Sequence, residues 1–396
     1  MTNGLYVKRV EAERALVWEK ALPKLTALDI ELTERCNLDC IHCYINRPLS
    51  DQAAANKELE TQSVKAVLEE AAELGCLTVR FTGGEPLLRN DFEELYLFAR
   101  KLGLKVLLFT NAALITPRLA KLFVRIPPLE PIEITVYGLK KTAHEAVSRT
   151  PGSFEACRRG IRLLIDHKIP IFFKFPILPP NRNELPEFKL WSASIPSFQG
   201  PPALIMIYDL RGRRDLEIKN RHIRNLRLSP PDIIHLLDQN RKPYVQEMQT
   251  FCSRFIGPPA ERLFSCGAGN GRGCVSAAGF FQPCLLLRHP ETIYSLENGS
   301  LQDALTRIFP EVRRIKAVHP DYLNRCARCF LKGLCEQCPA KSWMEHGTLD
   351  TPVNYLCKIA HAQARYLGLL GDNENAWEVS RWESRVKDFS NRKVSP

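Results

Sequence analysis

Three cysteines near the start of the chain have a spacing that suits metal chemistry. Cys36, Cys40 and Cys43 stand within eight residues, in the pattern Cys-x3-Cys-x2-Cys. A [4Fe–4S] cluster has four irons, so three thiolates from one compact loop leave one iron open to an exchangeable ligand, as a catalytic site requires. The alternatives are a zinc knuckle or three unrelated thiols, although structural zinc normally takes four ligands. The pattern favours an iron–sulfur cluster with an open iron.

A second short motif follows further along the chain, with the sequence Thr82-Gly-Gly-Glu-Pro86. Gly83 and Gly84 permit close backbone approach, and the carboxylate of Glu85 can receive an ammonium group. Taken alone, the tetrapeptide ending at Pro86 could be a simple turn. The function of this motif depends on its position in the fold.

The elements that must position both motifs are short apolar runs with strand character, which alternate with helical patterns from about residue 27 to 207. The six predicted strands are 28–32, 77–81, 104–109, 132–136, 169–175 and 204–207. Repeated βα units indicate a parallel sheet. Six units are too few for an eight-stranded barrel but sufficient for a partial one, whose functional loops follow the carboxyl ends of the strands. Both motifs stand at such ends.

Eight of the fourteen cysteines lie in the C-terminal part of the chain. They are Cys266, Cys274, Cys284, Cys326, Cys329, Cys335, Cys338 and Cys357. Eight thiolates make two complete four-ligand sites, and paired Cys-x2-Cys is also typical of ribbon-type zinc. The N-terminal motif favours iron–sulfur over zinc here. Cys76, Cys157 and Cys252 fall outside both patterns and are interpreted as packing residues.

The fold class predicted from these patterns is α/β: a partial (β/α)6 TIM barrel followed by a small cysteine-rich iron–sulfur domain. The predicted divisions are an N-terminal extension (1–23), the barrel (24–210), a bridging segment (211–262), the cysteine-rich domain (263–360) and a helical tail (361–396).

The two N-terminal motifs, in this order and on successive strand ends, resemble the radical S-adenosylmethionine superfamily over about residues 24–210. The resemblance implies that the amino and carboxylate groups of S-adenosylmethionine chelate the open iron. It implies that Gly83, Gly84, Glu85 and Pro86 line the site of the amino group. The activity it implies is reductive cleavage of S-adenosylmethionine to a 5′-deoxyadenosyl radical, which removes a hydrogen atom from a substrate.

Further residues are assigned to the cofactor pocket through the same resemblance. Thr110 and Asn111 end the third predicted strand, and Thr135 ends the fourth as the ribose candidate. Arg149 is the candidate for the carboxylate, although it stands one residue closer to Gly152-Ser-Phe154 than is usual in the family. His42 and Tyr44 are interpreted as residues that shield the cluster.

The C-terminal cysteine order resembles the SPASM extension of radical enzymes that modify peptides and proteins, which implies two auxiliary [4Fe–4S] clusters and three clusters in all. The implied ligands of the nearer cluster are Cys266, Cys274, Cys284 and Cys338; those of the farther one are Cys326, Cys329, Cys335 and Cys357. Cys335 and Cys338 have two residues between them where the family usually has three. The cluster that Cys338 serves is therefore open.

The leading functional hypothesis is oxidative maturation of a ribosomally made peptide or protein by a thioether or carbon–carbon crosslink. Leu285 follows Cys284 where formylglycine-forming relatives commonly have an acidic residue, which argues against formylglycine formation without excluding it. Two competing hypotheses are a radical dehydrogenase or epimerase acting on a sugar or aminocyclitol, and a non-catalytic metal-binding module. No catalytic acid or base can be named from the sequence.

The expected partners are the substrate peptide or protein and an electron donor such as flavodoxin or ferredoxin. No fused leader-binding domain is recognised before residue 24, so a leader peptide is expected to need either a separate leader-binding protein or direct docking. The net charge of +11 comes from scattered Lys and Arg, so a nucleic-acid partner is not expected. The chain shows neither an apolar signal region nor a membrane-length apolar stretch. These observations predict a cytoplasmic protein without a membrane partner.

Overall fold

The computed structural model describes residues 24–392 of the 396-residue chain. The N-terminal extension predicted for 1–23 lies outside the described residues. The chain divides into two compact units. The first comprises the described part of 1–226 together with 267–285 and 290–310, and the second comprises 227–266, 286–289 and the described part of 311–396.

The first unit is built on a nine-stranded sheet with the order β11-β10-β9-β1-β4-β5-β6-β7-β8. Its nine strands are β1 (Leu25–Thr33), β4 (Thr78–Gly83), β5 (Lys105–Thr110), β6 (Ile132–Thr135), β7 (Ile171–Pro176), β8 (Ala203–Ile205), β9 (Gly271–Val275), β10 (Phe280–Gln282) and β11 (Tyr294–Ser295). The short strands β2 (Arg35–Cys36) and β3 (Arg47–Pro48) form a separate two-stranded sheet. From β1 through β8 the neighbours in this sheet pair in parallel. The six predicted strands and the partial-barrel fold class are confirmed.

Helices alternate with these strands as the sequence pattern predicts. Those of the first unit before β9 are Gln52–Ala55, Thr61–Glu73, Phe92–Lys101, Pro117–Arg125, Lys141–Ser148, Ser153–Asp166, Leu185–Ala193 and Glu217–Leu226. Phe81 of β4 packs edge-on against Phe92, which lies on the helix that follows β4. Phe173 of β7 likewise packs edge-on against Phe188, which lies on the helix Leu185–Ala193 after β7. These buried strand residues therefore define the helix-covered, convex face of the sheet.

The sheet gains three strands at its β1 edge from a later part of the chain. β9 pairs in parallel with β1, and β10 pairs antiparallel with β9. Gly273 of β9 allows this packing, because a Cβ there would stand 2.3 Å from the Phe281 ring. Residues 267–285 and 290–310 thus lie with the first unit. The boundary predicted at 263 was drawn from cysteine density, which carries no information about strand pairing across more than 200 residues.

The second unit is mainly helical. Its helices of five residues or more include Pro230–Asp238, Arg241–Phe255, Pro320–Asn324, Pro339–His346, Asn354–Tyr366 and Trp382–Asn391. Ser229 caps the first of these through a reciprocal capping box with Asp232. Cys252 is buried in this unit's apolar core beside Phe330, Leu367 and Phe389. Among residues 24–392, no helix is both long and apolar enough to span a membrane.

Candidate functional site

The loop with Cys36, Cys40 and Cys43 follows β1 directly. β2 and β3 pair in parallel and close the loop at its base. The amides of Asp39 and Ile41 donate to the carbonyls of Ser148 and Val147, at 3.0 and 2.9 Å. The last turn of the helix Lys141–Ser148 therefore fixes the loop from outside.

Backbone and side-chain N–H groups point at two of the three sulfurs. The Leu38 amide donates to Cys36 Sγ and the Asn46 amide to Cys43 Sγ, both at 3.4 Å. Asn111 Nδ2 also donates to Cys36 Sγ, at 3.9 Å. Such donors are the environment that iron–sulfur thiolates use.

Burial opposes ionisation of the free thiols in this loop. It raises the pKa of Cys40 to about 12, and the neighbouring Cys43 adds to the rise. Burial likewise holds the pKa of Cys36 far above its ordinary value, with Glu85 adding to it. A bound cationic metal core reverses this balance, because it replaces the thiol protons. The donor set therefore fits an iron–sulfur cluster.

His42 packs between two tyrosines. Its ring stands edge-on to Tyr137 and Tyr208, with centroids 5.8 and 5.6 Å away. Its Nδ1 is buried without a hydrogen-bond partner, and burial lowers its pKa to about 4. A neutral imidazole among aromatic rings is consistent with the predicted shielding role.

The two glycines of the second motif are required by the chain's own backbone. A Cβ on Gly83 would stand 2.1 Å from the Thr33 carbonyl oxygen, and one on Gly84 would stand 2.1 Å from that of Arg35. The Gly84 amide donates to Thr33 at 2.7 Å, and the Glu85 amide donates to Arg35 at 2.9 Å. The end of β4 is thus bonded directly to the segment that leads into Cys36.

Glu85 is fully buried and links the ends of two strands. One carboxylate oxygen accepts from Thr110 Oγ1 at 2.8 Å and from the Leu87 amide at 3.2 Å, and the other accepts from the Asn111 amide at 2.8 Å. Burial raises its pKa to about 7, against the effect of these donors. Asn111 Nδ2 continues the network to Asn37 Oδ1 at 2.8 Å. The structure therefore brings three predicted site residues, Glu85, Thr110 and Asn111, into contact beside the cysteine loop.

Four of the C-terminal cysteines surround one small cavity in the second unit. Cys326, Cys329, Cys335 and Cys357 all line it. The first three come from the short 3₁₀ turns Cys326–Arg328 and Phe330–Gly333 and the residues that follow, and the fourth comes from the helix Asn354–Tyr366. Two cationic side chains, Arg325 and Lys332, line the same cavity. Four thiols with nearby cations fit a fully ligated cluster.

Residues 30–190 match the sequence profile described as the Radical SAM superfamily. The chain contains a radical SAM domain. The matched residues include the cysteine loop, the Gly-Gly-Glu motif and the strands β4 to β7. The resemblance predicted from the sequence is confirmed for this part of the chain.

The relatives that this chain matches carry names that state different activities. The Fe-coproporphyrin III synthase of Methanosarcina barkeri is 26% identical over 361 residues, which cover 83% of this chain and 87% of that protein. The PqqA peptide cyclase of Gluconobacter oxydans is 35% identical over 158 residues, 40% of this chain and 43% of the relative. The solved structure of native anSMEcpe with bound AdoMet and Cp18Cys peptide superposes with a TM-score of 0.59 at 16% identity, covering 93% of this chain and 99% of that one.

Arg149 lies in a cleft beside the cysteine loop of the radical SAM domain. The cleft has a volume of about 610 Å³ and is lined by Cys36, Arg149 and Lys219 among others. The Arg149 guanidinium pairs with the carboxylate of Asp39, and its Nε donates to the Asp39 carbonyl at 3.2 Å. Lys219 binds the same carboxylate at 3.3 Å. The sequence did not single out Lys219, because nothing local relates it to a loop 180 residues earlier.

Thr135 ends β6 and is half-buried, opposite Lys174 of β7. Its ribose role stays a prediction. The predicted nearer auxiliary set also stays a prediction: Cys274 and Cys284 lie in the first unit, and Cys266 and Cys338 lie in the second. Within residues 24–392, no three His, Cys, Asp or Glu side chains are close enough together to hold a single metal ion.

The concave face of the sheet carries charged residues that were not predicted from the sequence. Arg80 donates to Asp29 at 3.0 Å, and Lys174 pairs with Glu133. The two cations stand over the ring of Phe109, with Arg80 Cζ 4.6 Å and Lys174 Nζ 3.2 Å from its centroid. Burial lowers the pKa of Lys174, with Glu133 opposing the shift. Polar residues at alternate positions of otherwise apolar strands are the signal that could have found them.

Proposed function

We propose that this protein uses a radical derived from S-adenosylmethionine to oxidise a ribosomally made peptide or protein, with formation of a thioether or carbon–carbon crosslink. The observation that carries the proposal is the convergence of Cys326, Cys329, Cys335 and Cys357 on one cavity outside the radical SAM domain. A cluster with all four irons ligated by the protein binds no substrate, but it can accept an electron. Crosslinking with loss of two hydrogens needs such an outlet.

The cofactors that follow are S-adenosylmethionine and three [4Fe–4S] clusters. When bound, the cluster and S-adenosylmethionine supply a 5′-deoxyadenosyl radical at the loop with Cys36, Cys40 and Cys43. The nearer auxiliary cluster is assigned to Cys266, Cys274, Cys284 and Cys338, and the farther one to the four cavity cysteines. An electron donor of the flavodoxin or ferredoxin class and a separate leader-binding protein complete the proposal.

The side chains around the cysteine loop have distinct roles in this scheme. Asp39 orients the Arg149 guanidinium beside Cys36, where it can meet the carboxylate of S-adenosylmethionine. The Gly83–Pro86 turn is held against the loop by its bonds to Thr33 and Arg35, which supports its assignment to the amino group. Thr135, at the end of β6, is assigned to the ribose.

One relative and one solved structure support a peptide substrate. The name of the Gluconobacter oxydans relative states that it cyclises a peptide, and its 35% identity covers 40% of this chain. The structure with a bound peptide shares the fold across 93% of this chain. Both are consistent with a peptide at the open, concave side of the sheet.

A second candidate is oxidation of a small molecule with carboxylate groups, such as an iron porphyrin. Two observations favour it. The match to the Fe-coproporphyrin III synthase extends over 83% of this chain. Arg80 and Lys174 flank an aromatic ring on the concave face, which suits a flat, anionic ligand.

One experiment separates the two candidates. The anaerobically reconstituted protein is incubated with S-adenosylmethionine and a reductant, and with either short peptides encoded beside its gene or an iron porphyrin that carries carboxylate side chains. Mass spectrometry should show a peptide that has lost two hydrogens, with formation of 5′-deoxyadenosine. Loss of carbon dioxide from the porphyrin, with no change in any peptide, would replace the first candidate by the second. The triple variant with Cys36, Cys40 and Cys43 changed to Ala is the blank, and Cys76→Ala is the matched cysteine control.

A further inference from the structure

Arg325 directly precedes the first cysteine of the cavity and points its guanidinium at the thiols. Its Nη2 donates to Cys357 Sγ at 3.6 Å and to Asn354 Oδ1 at 3.2 Å. The guanidinium lies over the ring of Trp377, with Cζ 5.0 Å from the centroid. Trp377 and Asn354 thus fix the plane of the group at the cavity wall.

One donor of this guanidinium is buried without an acceptor. Arg325 Nε has no hydrogen-bond partner, although the side chain lines the cavity that the four cysteines surround. A buried, unpartnered N–H of a charged group costs free energy. An acceptor inside the cavity would remove that cost, and the sulfides of a [4Fe–4S] cluster are acceptors of the required kind.

The other groups beside Cys357 leave Arg325 as the fixed charge at this sulfur. His361 Nε2 accepts from the Ala376 amide at 3.2 Å, so its proton is assigned to Nδ1, which lies 2.9 Å from the Cys357 carbonyl oxygen and 3.6 Å from Cys357 Sγ. The imidazole is therefore neutral. Of the two cations that line the cavity, Arg325 is bonded to Cys357 Sγ, whereas Lys332 donates to the Gln337 carbonyl.

We propose that Arg325 is a positioning residue of the farther auxiliary cluster, donating from Nε to a cluster sulfide and from Nη2 to the Cys357 sulfur, and that it raises the reduction potential of that cluster. The inference rests on the proposed function, because it requires a cluster at Cys326, Cys329, Cys335 and Cys357. Four thiolates around a core of about +2 give the oxidised cluster a charge near −2, and reduction adds one more negative charge. Nearby donors and a cation stabilise the reduced form more than the oxidised form.

The choice of substitution depends on the position of Arg325 in the lining of the cavity. Arg325, Cys357, His361 and Trp377 line both the small cavity and a wide groove of about 1030 Å³ in the same unit. Truncation to Ala would open the cavity to solvent, whereas Arg325→Met keeps most of the volume and removes the charge and the donors. Arg325→Lys keeps the charge and loses the planar array of donors. Arg328, exposed and outside the cavity lining, gives the matched control Arg328→Met.

The test is a redox titration followed by electron paramagnetic resonance, with iron and sulfide analysis of each variant. Changing Cys36, Cys40 and Cys43 to Ala in all samples leaves only the auxiliary clusters visible, and the signal altered by Cys357→Ser identifies the farther one. Arg325→Met should lower the midpoint potential of the farther cluster by at least about 59 mV, which corresponds to a tenfold change in the equilibrium constant of a one-electron reduction. Arg325→Lys should lower it less, and Arg328→Met should leave it unchanged.

An unchanged potential in Arg325→Met, with the iron content of the parent protein, would overturn the inference. If the Arg325→Met variant does not bind the farther cluster, the Arg325→Lys variant is the test. A midpoint potential below that of the parent protein in this variant supports the role of Arg325, and an unchanged potential overturns it. A parent protein that lacks the farther cluster altogether would instead contradict the proposed cofactor set. Iron analysis of the parent therefore separates failure of the inference from failure of the function on which it rests.

Discussion

The carboxylate of Glu85 accepts a hydrogen bond from the backbone amide of Asn111 at 2.8 Å, so the ends of β4 and β5 are joined inside the radical SAM domain. The same Glu85 is bonded through its own amide to Arg35, one residue before Cys36. Glu85 therefore joins the segment before the cysteine loop, through its amide, to the end of β5, through its carboxyl group, and burial raises the pKa of that carboxyl group to about 7. Its protonation affects stability.

Glu85→Gln should remove a pH dependence of folding. Burial raises the pKa of Glu85 from 4.5 to about 7, so between these values the folded state binds more protons than the unfolded state. The contribution of Glu85 to stability is thus full below about pH 4.5 and falls by about 3 kcal/mol as the pH rises to 7. Urea unfolding of the metal-free, reduced protein at several pH values should show this fall.

The Gln variant should lack that part of the slope. Glu70→Gln is the control, since Glu70 also accepts two backbone amides but is partly exposed. Equal slopes in the Glu85 variant and the parent protein would contradict the assignment.

Gly84→Ala should damage the first cluster site. The new Cβ would stand 2.1 Å from the Arg35 carbonyl oxygen, which must move together with the adjacent Cys36. We expect a loss of about 1–3 kcal/mol in the free energy of unfolding. The iron content should fall from about twelve to about eight per chain. At Gly371 an added Cβ would meet only the flexible Glu374 side chain, so Gly371→Ala should retain all the iron.

Lys174→Met should impair substrate turnover without impairing radical formation. Lys174 pairs with Glu133 over the Phe109 ring on the concave face and is not among the residues assigned to the cofactor. Loss of one charged contact costs about 1.5–3 kcal/mol, so product formation should fall roughly 10- to 100-fold. The rate of 5′-deoxyadenosine release without substrate should stay near that of the parent. Lys105→Met, at an exposed lysine on β5, should change neither rate.

Two cysteine variants should distinguish a cluster ligand from a packing residue: Cys357→Ala should lose iron, and Cys252→Ala should not. Cys357 lines the four-thiol cavity, whereas Cys252 is buried in the apolar core of the same unit. Anaerobic iron analysis should show about four irons lost in the first variant and none in the second. Equal iron contents in the two variants would count against the farther cluster. The Cys252 variant should instead lose a modest amount of stability through its small cavity.

The sequence by itself determined the features that local pattern encodes. Six apolar runs became the strands β1 and β4 to β8 because their length and alternation bury one face. Ser229 begins its helix through a capping box with Asp232, only three residues further along the chain. The motif cysteines follow β1 because strand and loop are contiguous in the chain.

The tertiary structure decided what depends on distant backbone. Gly83 and Gly84 are needed because they lie against Thr33 and Arg35, about 50 residues earlier, and no local pattern specifies that contact. The return of β9 to β1 depends on pairing over more than 200 residues, with Thr26 Oγ1 bonded to the Gly271 carbonyl at 2.9 Å. Spacing alone could group cysteines into sets, but only packing could turn the Arg325 guanidinium toward the sulfur of Cys357.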